Sequence, residues 1–186
     1  MPKFNHLSLH TERLLLRPLR ETDAPAIFAI RSNPTVMRYH TSQPWTEIKR
    51  AVALIERDMA AMQSGQHLSL GLERTEDKVL IGTCSLFELN EQCRRAEIGY
   101  ELRHDAWGKG YMHEALLALL EYGFSTLELN RLEADIHPDN TNSAKSLERL
   151  GFIKEGYFRE RWIVGDEMSD SVMYGLLHSD WRAKNH

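Results

Sequence analysis

At 186 residues the chain is long enough for one domain with a core that folds unaided, and 42% hydrophobic with 27% charged residues is the composition of an ordinary soluble protein. No apolar run reaches the length of a membrane span, no long apolar centre near the N-terminus marks a secretory signal, and a net charge of −4 argues against nonspecific nucleic-acid binding. The expectation is a cytoplasmic protein with neither a membrane nor a direct nucleic-acid partner. Cys84 and Cys93 offer no disulfide framework and no metal spacing, and the nine histidines form no paired helical motif, so no metal is implied. The short basic clusters at Arg94 and Arg95 and at Arg159 and Arg161 lack aromatic interleaving and read as solvated faces.

In chain order, Leu14, Leu15 and Leu16, closed by Pro18, predict a first strand. Asp23 is expected to cap a short helix over Ala24–Arg31, with Pro25 tolerated in its first turn. A longer helix after Pro44 takes Thr46 as its cap, Ile48, Val52, Ile55, Met59 and Met62 as its core stripe, and Gly65 as its end. Leu68, Leu70 and Leu72 alternate into a polar turn and then residues 79–89, an antiparallel hairpin. A second turn delivers residues 96–102, where Ile98, Tyr100 and Leu102 share one face and Glu97, Gly99 and Glu101 the other. Met112, Ala115, Leu116, Leu119 and Gly123 then recur at helical spacing. Leu132, Ala134 and Ile136 form another strand, a short helix ends at Gly151 with Phe152 turned back onto Leu147, and strands near residues 152–159 and 171–177 close the chain. No repeat or linker divides it, and one α+β domain with a mixed sheet is the simplest reading.

Between the strand ending at Leu102 and the helix after it lies Trp107-Gly108-Lys109-Gly110-Tyr111-Met112. A glycine turn feeding a helix leaves backbone N–H groups without intrahelical acceptors at the positive end of the helix dipole, which suits an anion. A dinucleotide fingerprint needs a glycine where His113 stands, and a P-loop needs Ser or Thr where Gly110 stands. A tight connection with no ligand is the alternative. Asn140-Thr141-Asn142-Ser143 opens the later helix; these residue types are preferred caps, and they also suit a polar ligand, since an amide can satisfy a peptide-like group and a hydroxyl can donate to sulfur or an oxyanion.

Taken together, Thr11 to Pro18, Ile81-Gly82, Glu97-Ile98-Gly99-Tyr100, Gly108-Lys109-Gly110-Tyr111, Glu114-Ala115, Asn140 to Ser143 and Leu150-Gly151-Phe152 resemble the GNAT acetyltransferases, within them the RimJ/RimL-type branch that acetylates N-termini of ribosomal proteins. The resemblance implies one domain over residues 1–186 with its core at 11–177, and a mixed sheet of about seven strands, splayed at the cofactor strand and flanked by helices. It implies acetyl-CoA as cosubstrate, its pantetheine arm adding to the strand edge at Tyr100, Glu101 and Leu102, and its pyrophosphate on the amides of Gly108, Lys109, Gly110, Tyr111 and Met112. Trp107 and Met112 depart from the family pattern at that turn, and Leu147 stands where many members carry a tyrosine.

By the same resemblance Asn140 holds the pantetheine and Ser143 donates to the leaving thiolate, while Glu97 or Glu101 accepts the proton of the amine through water. An α-amine titrates near pH ~8 and a lysine near ~10.4, so a terminal amine needs less help at neutral pH. The expected reaction is direct acetyl transfer to a primary amine, foremost the N-terminal α-amine of a ribosomal or other protein, with a homodimer allowed. A small amine such as a polyamine or aminoglycoside is the alternative acceptor, and a non-catalytic acyl-CoA-binding module the alternative function.

Overall fold

The computed structural model describes residues 3–185. The strands are β1 (Leu9–His10), β2 (Leu14–Arg17), β3 (Leu68–Arg74), β4 (Leu80–Asn90), β5 (Arg95–Leu102), β6 (Arg131–Ile136), β7 (Ile153–Val164) and β8 (Glu167–Leu177). The helices are α1 (Ala24–Arg31), α2 (Pro34–Met37), α3 (Lys49–Ser64), α4 (Tyr111–Glu121), α5 (Thr141–Leu150) and α6 (His178–Asn185). The strands form one mixed sheet of eight in the order β1-β2-β3-β4-β5-β6-β8-β7, one more than the seven expected. The addition is β1, two residues paired with Leu15 and Leu16, too short to show alternation in sequence.

Every neighbouring pair is antiparallel except β5 and β6. That parallel pairing lasts only from Arg95↔Arg131 to Glu97↔Glu133. On its other side β5 stays paired with β4 as far as Gly82↔Leu102, while β6 continues along β8 to Ile136↔Val172. The sheet therefore forks after Glu97. The β4 irregularity, between Phe87 and Asn90 with Glu88 at φ 50°, precedes this point and bends the strand before the fork opens.

The main core is built from alternate residues of β2 to β6 and from the α4 stripe, where Ala115, Leu116 and Leu119 are fully buried as the spacing predicts. Gly151, at φ 103°, ends α5, and the Phe152 N–H returns to the Leu147 carbonyl at 3.0 Å. A smaller cluster under α1 and α3 gathers Leu19, Ile27, Trp45, Ala51, Leu54 and Ile55.

Two capping expectations differ from the structure, and so does one stripe. Asp23 does not cap α1 through its side chain; it accepts from Arg17 and from the Arg20 N–H instead. Thr46 lies outside α3, whose first turn follows Ile48 without a side-chain cap. The buried face of α3 is Ala51, Leu54, Ile55, Asp58 and Met62, whereas Ile48, Val52 and Met59 are 40–48% exposed. A charged residue, Asp58, at the middle of the buried stripe conceals the true face from an apolar count. The closing hairpin is also longer than expected and turns at Gly165, φ 63°.

Arg17 ties β2, β3 and the chain ahead of α1 together. Its Nε donates to Glu73 at 2.7 Å and its two Nη atoms donate to Asp23 at 2.8 and 3.0 Å, all three side chains being under 10% exposed. Burial alone pushes the Asp23 carboxyl up, yet the hydrogen bonds from Arg17 and from the Arg20 amide outweigh it and hold it below the ordinary carboxylate range. Arg17→Ala, which strands two buried carboxylates, is expected to lower unfolding free energy by about 3–5 kcal/mol in urea titrations at pH 7. A depressed folded pKa means that the Asp23 contribution is present at neutral pH and is lost as pH falls through that pKa, so the gap between wild type and variant narrows in acid. A loss under about 1 kcal/mol at pH 7, the worth of an exposed pair, contradicts this role.

Candidate active site

The fork sets the site. Once β6 departs, alternate residues of β5 beyond Glu97 direct N–H and C=O groups into the gap rather than to a partner strand. From β5 the Tyr100 hydroxyl reaches the start of α5, where it lies 2.5 Å from Ser143 Oγ. Ser143 is buried in the first turn of α5, and its N–H donates to Asn140 Oδ1 at 3.2 Å. Asn140 is thus the α5 cap, while the Ser143 hydroxyl remains for other chemistry. Burial pushes the Tyr100 phenol up to about 12, so it keeps its proton at neutral pH. Two hydroxyls that share one hydrogen bond have a second proton for a third atom. The Tyr100 side chain was not foreseen, because the alternation of β5 assigns it to the same apolar face as Ile98 and Leu102.

On the opposite face, the two glutamates differ sharply. Glu101 is not water-facing as expected: it is 5% exposed and accepts from Arg31 Nε with both oxygens, at 2.9 and 3.0 Å, and from the Thr83 hydroxyl at 3.2 Å. His40 Nε2 stands 3.9 Å away, and burial pushes that imidazole below its usual pKa, toward the neutral form. Glu101 is an anchored anion with its oxygens engaged. Glu97 sits at the last rung of the β5–β6 pairing, and its carboxyl is pushed up to about 7, first by burial, then by the negative charges of Asp135 and Glu133. Asp135 Oδ2 accepts from Arg161 Nε at 2.8 Å and from Trp162 Nε1 at 3.2 Å, so the β7–β8 hairpin reaches back to the fork. Asp135 Oδ1 is buried without a hydrogen-bond partner among the described residues. Asp170, another carboxylate near the closing strand, holds the β7 bulge through the Glu160 N–H at 2.7 Å.

Leu102 leads through a short turn to the glycines. Gly108 and Gly110 adopt φ 74° and 80°, the left-handed region, and a Cβ built on Gly108 meets nothing within 4 Å, so the turn has open space on that side. Glu114 N–H to Gly110 carbonyl is an early rung of α4, which leaves the amides of Tyr111, Met112 and His113 at the positive helix end. Trp107, where the family pattern has a polar residue, braces this turn: its Nε1 donates to the Leu102 carbonyl at 2.8 Å and its ring meets His104 edge-on at 4.8 Å. Lys109 is exposed; its carbonyl, rather than its ammonium, is engaged, accepting from Arg13 Nη1 at 2.9 Å.

Glu114 locks the arrangement from below. It accepts from the Thr11 hydroxyl at 2.6 Å and from the Arg13 backbone and Nε, each at 2.7 Å, and Arg13 lies 4.5 Å over the Tyr111 ring. Left-handed glycines, free helix-end amides, open space and an adjacent guanidinium together fit the diphosphate of a coenzyme. Beside the Gly99 and Glu101 face a cavity of about 710 Å3 opens, walled by α1, α3 and residues 40–45. No group of three His, Cys, Asp or Glu among the described residues is placed to hold a metal, and no described helix is long and apolar enough to cross a membrane.

The acetyltransferase (GNAT) domain model matches residues 13–153. The chain is 37% identical to the uncharacterized N-acetyltransferase YoaA of Bacillus subtilis, over 91% of this chain and 96% of that protein. It is 27% identical to the [ribosomal protein uS5]-alanine N-acetyltransferase of Escherichia coli, over 93% and 92%. A crystal structure of a GNAT-family acetyltransferase from Bacillus anthracis superposes with a TM-score of 0.83 at 26% identity, covering 93% of this chain and 99% of that one. The forked sheet, the glycine turn and these relationships agree: the chain belongs to the GNAT acetyltransferase family and is an N-acetyltransferase with acetyl-CoA as its acetyl donor.

Proposed function

We propose that the enzyme acetylates the N-terminal α-amine of a protein or peptide, with Glu97 as general base. The observation that supports this reading is the place of Glu97 at the last β5–β6 rung before the fork, where burial and the neighbouring Asp135 and Glu133 push its carboxyl up to about 7. An α-ammonium titrates near ~8 and a lysine-like ammonium near ~10.4, so the α-amine gives its proton more readily to a carboxyl raised in this way. The similarity to an enzyme named for a ribosomal-protein alanine supports the same acceptor class.

Acetyl-CoA supplies the thioester whose carbonyl carbon the amine attacks. The residues suited to hold it are the β5 edge at Tyr100, Glu101 and Leu102, the amides of Gly108, Lys109, Gly110, Tyr111 and Met112, and Asn140. Because the Leu102 carbonyl already accepts from Trp107, the amides beside it matter more than that oxygen. Glu97 takes one proton from the ammonium; as the C–N bond forms and the C–S bond breaks, the nitrogen loses a second proton and the sulfur gains one. Either hydroxyl can donate in the Tyr100–Ser143 pair; with Tyr100 as donor, the Ser143 proton is directed at the departing sulfur. Glu101 does no proton transfer and instead fixes Arg31 at the acceptor cavity.

For an α-amine peptide, kcat/KM should rise with pH through about 7, because Glu97 must lose its proton to act as base. Glu97→Gln is expected to lower kcat by roughly 10²- to 10³-fold and to remove that rise, with acetyl-CoA affinity kept. An unaltered profile in the variant assigns the pH dependence elsewhere. Ser143→Ala is expected to reduce kcat far more than acetyl-CoA affinity, and Tyr100→Phe to reduce it less, as read by thiol release and calorimetry. An unchanged rate for Ser143→Ala limits that residue to the helix terminus. Across a panel of amines, free N-terminal peptides should surpass Nα-blocked lysine peptides; the reverse order overturns the acceptor class.

A further inference from the structure

The wall of the acceptor cavity has a charge that neither the fold nor the transfer chemistry requires. Arg31, Arg50 and Arg57 all line it; Arg31 is paired with the lining Glu101 and Arg57 with its neighbour Asp58, while Arg50 is held over the Trp45 ring. Arg57 is steadied by its neighbour Asp58, Nη2 to Oδ1 at 3.1 Å, and yet is 67% exposed. Arg50 has its guanidinium 5.0 Å over the Trp45 ring, whose other cation contact is Arg31, also at 5.0 Å. The two wall histidines add no negative charge, and burial pushes both His40 and His67 toward the neutral form. In a chain of net charge −4 such a wall is not the general surface bias.

Trp45 is buried in the wall, and its ring holds the Arg50 guanidinium at 5.0 Å, which fixes that cation at the cavity. The residues that line the cavity with Trp45 include Phe87, the cross-strand partner of Glu97, and Gly99, two residues along the same face. At the other end Glu133 is paired with Arg95 and Arg131 and Asp135 with Arg161, whereas the α3 wall presents Arg50 and Arg57.

We propose that the acceptor carries a carboxylate as well as its reacting amine, and that Arg50 and Arg57 receive this carboxylate. The proposal rests on the cavity being the acceptor site of the transfer reaction. Guanidinium forks match a carboxylate geometrically, and the same wall repels a polycation, so a polyamine is disfavoured. Two sources supply the chemistry: an acidic residue just after a peptide's N-terminal amine, or the side-chain carboxylate of a free dicarboxylic amino acid.

The test measures thiol release with acetyl-CoA and matched tetrapeptides in which positions two and three are acidic (Asp, Glu), neutral (Asn, Gln) or basic (Lys), beside free aspartate and spermidine. The acidic peptides should exceed their neutral counterparts at least tenfold in kcat/KM, mostly through KM, and the advantage should shrink as salt rises. Free aspartate surpassing every peptide identifies the small-molecule source and retains the carboxylate reading. Charge reversal at both positions, Arg50→Glu with Arg57→Glu, should erase or invert the preference while acetyl-CoA affinity, read by calorimetry, is kept. Preference for Lys peptides or spermidine in the wild type, or an unchanged preference in the double variant, overturns the proposal. A separate arm is independent of turnover: calorimetry of the CoA-bound enzyme with N-acetylated acidic and neutral tetrapeptides. Tighter binding of the acidic peptide, lost in the double variant, supports the wall even if no peptide is turned over and the α-amine reading fails; equal or absent binding contradicts it.

Discussion

The parting of β5 from β6 after Glu97 and Glu133 is the constraint on which the rest of the structure depends. A strand that leaves its partner inside a domain exposes main-chain donors and acceptors that are costly to bury unpaired. Here the opening is held rather than tolerated. On one side β4 keeps β5 straight through Gly82↔Leu102, and on the other β8 draws β6 away through Ile136↔Val172. The close approach at Gly82 allows no substitute, since a Cβ there falls 2.4 Å from the Glu101 carbonyl. Tyr100 then reaches Ser143 at the start of α5, and Trp107 folds back on Leu102 so that the glycine turn follows directly from the strand edge. The free strand edge and the amides of the glycine turn are continuous because one strand and the turn that follows it make both.

The alternation of a β-strand divides the chemistry between two faces. Neutral hydroxyls, Tyr100 with Ser143, lie on one and carboxylates on the other, and the carboxylates are not equivalent. Glu101 is engaged by Arg31 and Thr83, whereas Glu97 is crowded by Asp135 and Glu133 and so binds its proton more tightly than an ordinary carboxyl. The difference arises from what stands opposite each residue and not from the strand itself. Arg161 and Trp162, from a hairpin distant in sequence, hold the Asp135 oxygen that would otherwise be free to turn away.

Local periodic features were legible in the sequence. The α4 stripe, the glycine ends of α3 and α5, the β3–β4 hairpin and the glycine turn all depend on neighbours a few residues apart. Features set by distant partners were not. Glu101 meets Arg31 across 70 positions, and Tyr100 meets Ser143 across 43, so no local pattern distinguishes an anchored glutamate from a solvated one or a bridging tyrosine from a core one. Asp23 looked like a cap because the residue preceding a helix is commonly one; its pairing with Arg17 is a tertiary event. The face of α3 was misplaced by one polar residue, Asp58, in a buried stripe. Composition located the arginines of α3 only as surface charge, and it took the cavity to gather them with Trp45.

Amide hydrogen exchange with and without coenzyme A tests most directly whether the fork and the glycine turn form one cofactor groove. Protection should increase at Tyr100 and Leu102 and at residues 108–113, with little change at Glu101 and at Gly82 to Cys84, where β5 and β4 are already paired. Protection that maps instead to the α3 wall, or that leaves the amides after Trp107 unchanged while the coenzyme binds, would contradict the placement of the cofactor in the fork.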